Sequence, residues 1–377
     1  MSQEIKVLMS STSFPSTSQD WKGIFIKNLA NELVQIEGVD LSLWSPPGEM
    51  NPKIHFLPNA NESKWLNHLM EQGGIIHLLR NKPLNGLIHS IQLLKSLRKT
   101  YRQNQENTGI FHINWLQNAI PLYGTKTPAI ISILGSDYGL LKLPGMVSLL
   151  RIIFKQRRTI LAPNANWMTA KLSHYFSDVA TIHPVPFGVR QEWFNIKRNI
   201  DNNQPKKWLV ISRLTKNKIG PLFDWGEPVF TGQHELHLFG PMQEKIKIPD
   251  WVHYHGSTFP SELEKNWFPN AQGLVTLSEH DEGRPQVMLE AMASRLPIIA
   301  SNLDAHNDLI QHNKTGIIVN SKTKFSSAVL QLSDTQFNKN IGDNAQNWLH
   351  QEIGTWTDCA RKYQNLYHCV HVHKPHA

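Results

Sequence analysis

Cysteine is nearly absent from the chain. Cys359 and Cys369 are the two found in 377 residues, and both lie near the end. No disulfide framework can therefore staple the fold, and a reducing cytoplasm is the expected setting. Long apolar runs are missing as well. Val147-Ser148-Leu149-Leu150 and Ile152-Ile153-Phe154 are split by Arg151 and fall well short of the roughly 18 residues a spanning helix needs. A membrane-spanning protein is not expected. The opening Ile5-Lys6-Val7-Leu8-Met9 has too short an apolar core for a signal peptide and reads as a first strand. His368, His371, His373 and His376 gather around Cys369, which admits a metal site; a frayed terminus accounts for them as well, and no metal is expected.

Acidic residues are scarce in the first half. Residues 1–190 hold 19 Lys and Arg against 11 Asp and Glu, while residues 191–377 hold 19 of each, so the whole net charge of +8 sits in the first half. There, Arg80, Lys82, Lys95, Arg98, Lys99 and Arg102 accompany Leu84, Leu87, Ile88, Ile91, Leu94 and Leu97 at helical spacing. A second group, Lys142, Arg151, Lys155, Arg157 and Arg158, surrounds Leu149, Leu150, Ile153 and Phe154. Basic amphipathic helices bind anionic membrane surfaces, and docking to a membrane or an anionic acceptor is expected. The apolar stripe itself is assigned to the core, covering a sheet. No recognised motif for nucleic acid accompanies the charge, so that partner is not expected.

A chain of this length with 40% hydrophobic residues fits two domains of ordinary size. Apolar runs at Ile5–Met9, Val39–Leu43, Gly109–Trp115, Ala129–Leu134 and Thr159–Ala162 alternate with helical patterns, which predicts a doubly wound parallel sheet for residues 1–195. Polar residues 196–207 are the linker candidate, and a second α/β unit is placed at 208–345. A closing helix, around Asn344 to Tyr367, lies within the last segment, 346–377. Gly23, before the helical run Ile24–Leu33, permits close backbone approach to a ligand at a helix N-terminus.

The most informative stretch runs from Glu282 through Gly283, Arg284, Pro285, Gln286, Val287, Met288 and Leu289 to Glu290. Two carboxylates flank a loop-to-helix junction, and Pro285 reads as the first helical residue. No Ser, Thr, Asp or Asn directly precedes that proline, so the free N–H groups of the junction have no side-chain cap and suit ligand oxygens. Apolar runs on either side, Ala271–Ser278 and Leu296–Ser301, read as parallel strands, which puts Glu282 at the carboxyl end of the first. A surface helix with solvated acids is the alternative.

The pattern Glu-Gly-x-Pro-x-x-x-x-Glu-Ala-Met-Ala, followed by Pro297-Ile298-Ile299, resembles the signature of retaining GT-B-fold glycosyltransferases of the group 1, or family 4, type. Further matches follow in the family's order: Pro184–Val189, Ile211-Ser212-Arg213-Leu214 with Lys218, Leu238-Phe239-Gly240-Pro241, His255-Gly256 and Asn365-Leu366-Tyr367. The resemblance implies two Rossmann-like domains with parallel sheets facing an interdomain cleft, the last helix crossing back to the first domain. It also implies transfer of a sugar from a nucleotide diphosphate to a glycan or lipid-linked acceptor with retained configuration, in bacterial cell-surface polysaccharide synthesis at the inner face of the plasma membrane.

By the same resemblance Arg213 and Lys218 grip the diphosphate, Glu290 accepts from the ribose hydroxyls, and Glu282 with the backbone of Gly283 to Gln286 holds the donor sugar. Val287 and Gly240 complete the donor-binding set. No Asp-x-Asp tripeptide occurs, so fixed cations are expected to meet the leaving charge, with neither metal nor cofactor. Leu134 stands where many members have a histidine, and Lys22 replaces one of two adjacent glycines. Asp137 is the candidate for contacting the acceptor hydroxyl or the sugar, with a capping role as the alternative. Beside the transferase stand two other readings: a nucleotide-sugar epimerase or phosphorylase on the same fold, and a non-catalytic scaffold.

Overall fold

The computed structural model describes residues 4–17, 20–199, 205–280 and 282–371. The chain divides into two compact units, Met1–Phe187 with Trp356–Ala377, and Gly188–Thr355. Both are parallel α/β folds.

In the first unit seven strands pair in the order β3-β2-β1-β4-β5-β6-β7. They are β1 Ile5–Ser10, β2 Val39–Trp44, β3 His55–Phe56, β4 Ile110–Asn114, β5 Ala129–Ile133, β6 Thr159–Pro163 and β7 Thr181–Ile182. Every residue of β4, β5 and β6 is buried, as expected for strands covered on both faces by crossover helices. The helix Ile24–Leu33 buries Ile26, Leu29, Ala30 and Leu33, an i, i+3, i+4, i+7 stripe. Beside it in the same core lie Trp356, Cys359, Tyr363, Leu366 and Tyr367 of the helix Trp356–His371. The last helix thus completes the core of the first unit, although it is remote from it in sequence.

The second unit has six strands in the order β10-β9-β8-β11-β12-β13. These are β8 Lys206–Ile211, β9 His234–Phe239, β10 Val252–Tyr254, β11 Ala271–Thr276, β12 Ile298–Ser301 and β13 Ile317–Val319. Chain order reverses between β8 and β11, so this pair flanks the switch point where open α/β sheets take ligands beyond their strand ends.

Several expectations are corrected in detail. Residues 188–199 pack into the second unit: Val189, Trp193 and Ile196 are buried in one of its cores. Arg198 binds the carbonyls of Ala271 and Arg295 at 2.7 and 2.9 Å, which ties the expected linker down. Residues 200–204 of that linker lie outside the described residues, as do His373 and His376. The closing segment is two helices, Thr335–Glu352 and Trp356–His371. Gly354 between them has φ +82°, a left-handed turn that ends the first. The apolar stripe at 84, 87, 88 and 91 faces solvent. The helix Pro83–Asn104 instead buries Leu93, Leu97 and Tyr101, so the core takes the roughly opposite face, in its second half.

Candidate functional site

Four close approaches of backbone shape the switch point of the second sheet. Beyond β8 the chain runs through Ser212 and Arg213 to Thr215, whose hydroxyl accepts from Lys218 N at 3.3 Å and caps the short helix Lys216–Ile219. Gly220 ends that turn at φ +52°, and a Cβ there would stand 2.1 Å from the carbonyl oxygen of Leu277. Glu279 N donates to Asn217 O at 2.8 Å. The loop after β8 is thereby laced to the loop after β11. Gly240, at φ +132°, leaves β9 so close to β8 that a Cβ would lie 1.7 Å from Ser212 O. Its own N–H is given to Gly256 O at 2.7 Å, so this glycine of the expected donor set is required by backbone packing.

This lacing brings Lys218 onto Glu282. Lys218 Nζ pairs with Glu282 Oε1, with side chains 11% and 17% exposed, and Ser278 Oγ donates to the same oxygen at 3.3 Å. Burial lowers the Lys218 pKa, the Glu282 carboxylate opposes that shift, and Arg213 adds to it. Arg213, exposed at the surface, is therefore within electrostatic reach of the pair. His306, fully buried, completes the group. Its Nδ1 lies 2.9 Å from Ser301 O, which makes it the protonated nitrogen, and its Nε2 has no hydrogen-bond partner. Burial lowers its pKa; the hydrogen bond to Ser301 and the charge of Glu282 oppose this, and Lys218 reinforces it.

Glu290 lies one turn into the helix Gln286–Ala293, whose N-terminus has no side-chain cap. Pro285 is the residue preceding that helix, with ψ 116°, and not its first member. Burial above all pushes the Glu290 pKa up to about 8, Arg190 pulls it down and Glu264 raises it further. Arg190 is shared with Glu264 at 2.7 Å. The raised pKa means that the native state binds more protons than the unfolded chain between the ordinary value of 4.5 and about 8. Stability should therefore fall as pH rises through this window. Glu290→Gln is expected to flatten that dependence, read as melting temperature from pH 5 to 8.5; an unchanged slope would remove the assignment.

The remaining donor residues divide by role. Arg284 is ion-paired with Asp308, the side chains 4% and 9% exposed, so its guanidinium fastens the Glu282–Pro285 loop to the stretch after β12. Gly283 is buried. Gln286 Nε2 donates to Gly188 O at 2.9 Å, and Val287 packs against the unit's core.

In the first unit, Asp137 is buried, its two oxygens accepting from Leu134 N and Leu116 N at 2.9 and 2.8 Å. It joins the loops that leave β4 and β5. Burial raises its pKa to about 6 against the pull of these backbone donors. Leu134 is partly buried against the core. His112 is a satisfied core histidine, bonded to Tyr367 at 2.6 Å and to Ser132 at 2.8 Å. Gly23 has φ +70°, and a Cβ would stand 2.6 Å from Ser13 C, so the backbone it approaches is its own chain's.

Sequence reasoning missed His306, Ser278, Arg190 and Glu264. Only Arg190 had a signal, its place beside the Gly188-Val189 match.

Two parallel-sheet units with this strand order define the GT-B class of fold. The sucrose-phosphate synthase of Thermosynechococcus elongatus superposes with a TM-score of 0.69 at 14% identity, covering 97% of this chain and 99% of that one. HepE of Anabaena, solved with UDP-glucose, gives 0.65 at 12% identity over 96% and 99%.

In sequence, residues 224–335 match the model described as "Glycosyl transferases group 1". A probable sucrose-phosphate synthase of Thermosipho melanesiensis is 27% identical over 111 residues, which are 29% of this chain and 26% of that protein. The match thus spans about a quarter of the curated relative.

Proposed function

We propose that the protein is a retaining glycosyltransferase that moves a sugar from a nucleotide diphosphate to a glycan or lipid-linked acceptor. Its setting is bacterial cell-surface polysaccharide synthesis at the cytoplasmic face of the plasma membrane. The observation that carries this reading is the Lys218–Glu282 pair beyond the switch point of the second sheet, with Arg213 in electrostatic reach. HepE's complex with UDP-glucose supports a nucleotide-sugar donor.

Departure of the nucleotide leaves negative charge on its terminal phosphate while the sugar becomes oxocarbenium-like. Fixed cations placed where that charge develops lower the barrier without reorganising in the reaction. Lys218 supplies a point charge held in place by Glu282, and Arg213 a planar fork that matches phosphate oxygens. Glu282 and the backbone from Gly283 to Gln286 hold sugar hydroxyls, and Glu290 accepts from the ribose. Glu282 orients the sugar and is not the nucleophile; the leaving phosphate takes the acceptor's proton on the same face.

A panel of nucleoside diphosphates and their sugars tests this by melting temperature and by slow donor hydrolysis. At least one nucleotide should stabilise the protein, and Arg213→Ala and Glu290→Ala should each abolish the shift. A protein indifferent to every nucleotide would be a scaffold, and donor isomerisation without transfer would mark an epimerase. Turnover should survive EDTA unchanged, because fixed cations replace the metal; strict metal dependence would refute that part.

A further inference from the structure

We propose that the first half of the helix Pro83–Asn104 is a docking face for an anionic lipid bilayer. The inference rests on the membrane setting proposed above and names the surface that would meet the lipid.

Leu84, Leu87, Ile88 and Ile91 are 77%, 54%, 61% and 46% exposed. Their spacing puts them on one side of the helix, yet the core takes Leu93, Leu97 and Tyr101 from another. Leu79, on the preceding helix Gly74–Asn81, is exposed too. The two helices are held together at Gly86, where a Cβ would lie 2.6 Å from Leu79 N. A solvent-facing aliphatic row of this length marks a site of contact.

Charge decides the occupant. Between Glu71 and Glu106 the sequence has no acidic residue, while Arg80, Lys82, Lys95, Arg98, Lys99 and Arg102 fall inside that stretch. A second copy of the chain would bring like charges together on this face. An anionic bilayer matches both features, as its headgroups meet the cations and its acyl boundary takes the aliphatic side chains. The same combination recurs in the unit: Leu143, Leu149 and Ile152 are exposed, in a stretch from Asp137 to Asp178 with no acid between and with Lys142 and Lys155 among its cations.

Co-sedimentation of the full chain with vesicles tests the proposal. Binding is expected to phosphatidylcholine vesicles containing phosphatidylglycerol, falling as salt rises, and not to phosphatidylcholine alone. Leu84→Ser with Ile88→Ser should weaken it at least ten-fold, and Lys95→Gln and Lys99→Gln about five-fold each. All four side chains are partly or fully solvent-facing, so folding should survive, as a retained melting temperature would verify. Equal binding to neutral vesicles, no binding by the parent protein, or undiminished binding by the serine variant would each overturn the proposal. So would a dimer in solution that the serine variant dissolves. Nucleotide stabilisation reads the second unit separately: its survival without vesicle binding would sink the docking face alone.

Discussion

Lys218→Met is expected to lower turnover by roughly 10²–10³-fold, the loss seen when one preorganised donor to a developing negative charge is removed. Substrate affinity should change less, because the charge that Lys218 meets is largest in the transition state. The same change leaves the Glu282 carboxylate, 17% exposed, without its cation, which should cost about 3 kcal/mol of stability. Lys218→Met combined with Glu282→Gln separates these effects. The double variant should regain most of the stability and none of the activity. Full activity in Lys218→Met would place the leaving-group charge elsewhere and reduce the pair to a structural tie.

Gly240→Ala should be the most damaging single methyl in the second unit. Its φ of +132° is a region that side chains other than hydrogen avoid, and the new Cβ would stand 1.7 Å from Ser212 O. Ser212 O is a backbone atom, and the position of a Cβ is set by the backbone that carries it, so neither can turn aside. Strain of about 1–3 kcal/mol from the dihedral and a similar amount from displaced neighbours should lower the melting temperature of this unit by roughly 10 °C. Gly139→Ala is the control: a Cβ there meets nothing within 4 Å, and its effect should stay within about 0.5 kcal/mol. Because Ser212 directly precedes Arg213, partial folding of Gly240→Ala should also be accompanied by weaker nucleotide binding.

Much of this was legible in the sequence because it is local. Strands such as β5 are short apolar runs, and a run of that kind between helical patterns has few other readings. Lys218 and Glu282 could be singled out by motif, yet nothing in their spacing says that they would bind each other. That contact follows from lacing at Gly220 and Asn217, between loops far apart in the chain. His306 and Glu264 were invisible for the same reason. One is an ordinary histidine after β12, the other an acid in an irregular turn, and only tertiary packing gives them neighbours. Periodicity found the row at 84, 87, 88 and 91 but not its direction, since a helix with two apolar faces can offer either to the core.

The helix Trp356–His371 closes a core whose other walls are formed by residues 5–187. During synthesis the first unit is therefore left with an open apolar flank until the second has left the ribosome entire, at about 5–20 residues per second. Order of assembly is thus written into the connectivity: the inserted unit has all its parts before the one that surrounds it in sequence, and a message cut short before codon 356 would yield one finished unit and one that cannot be sealed.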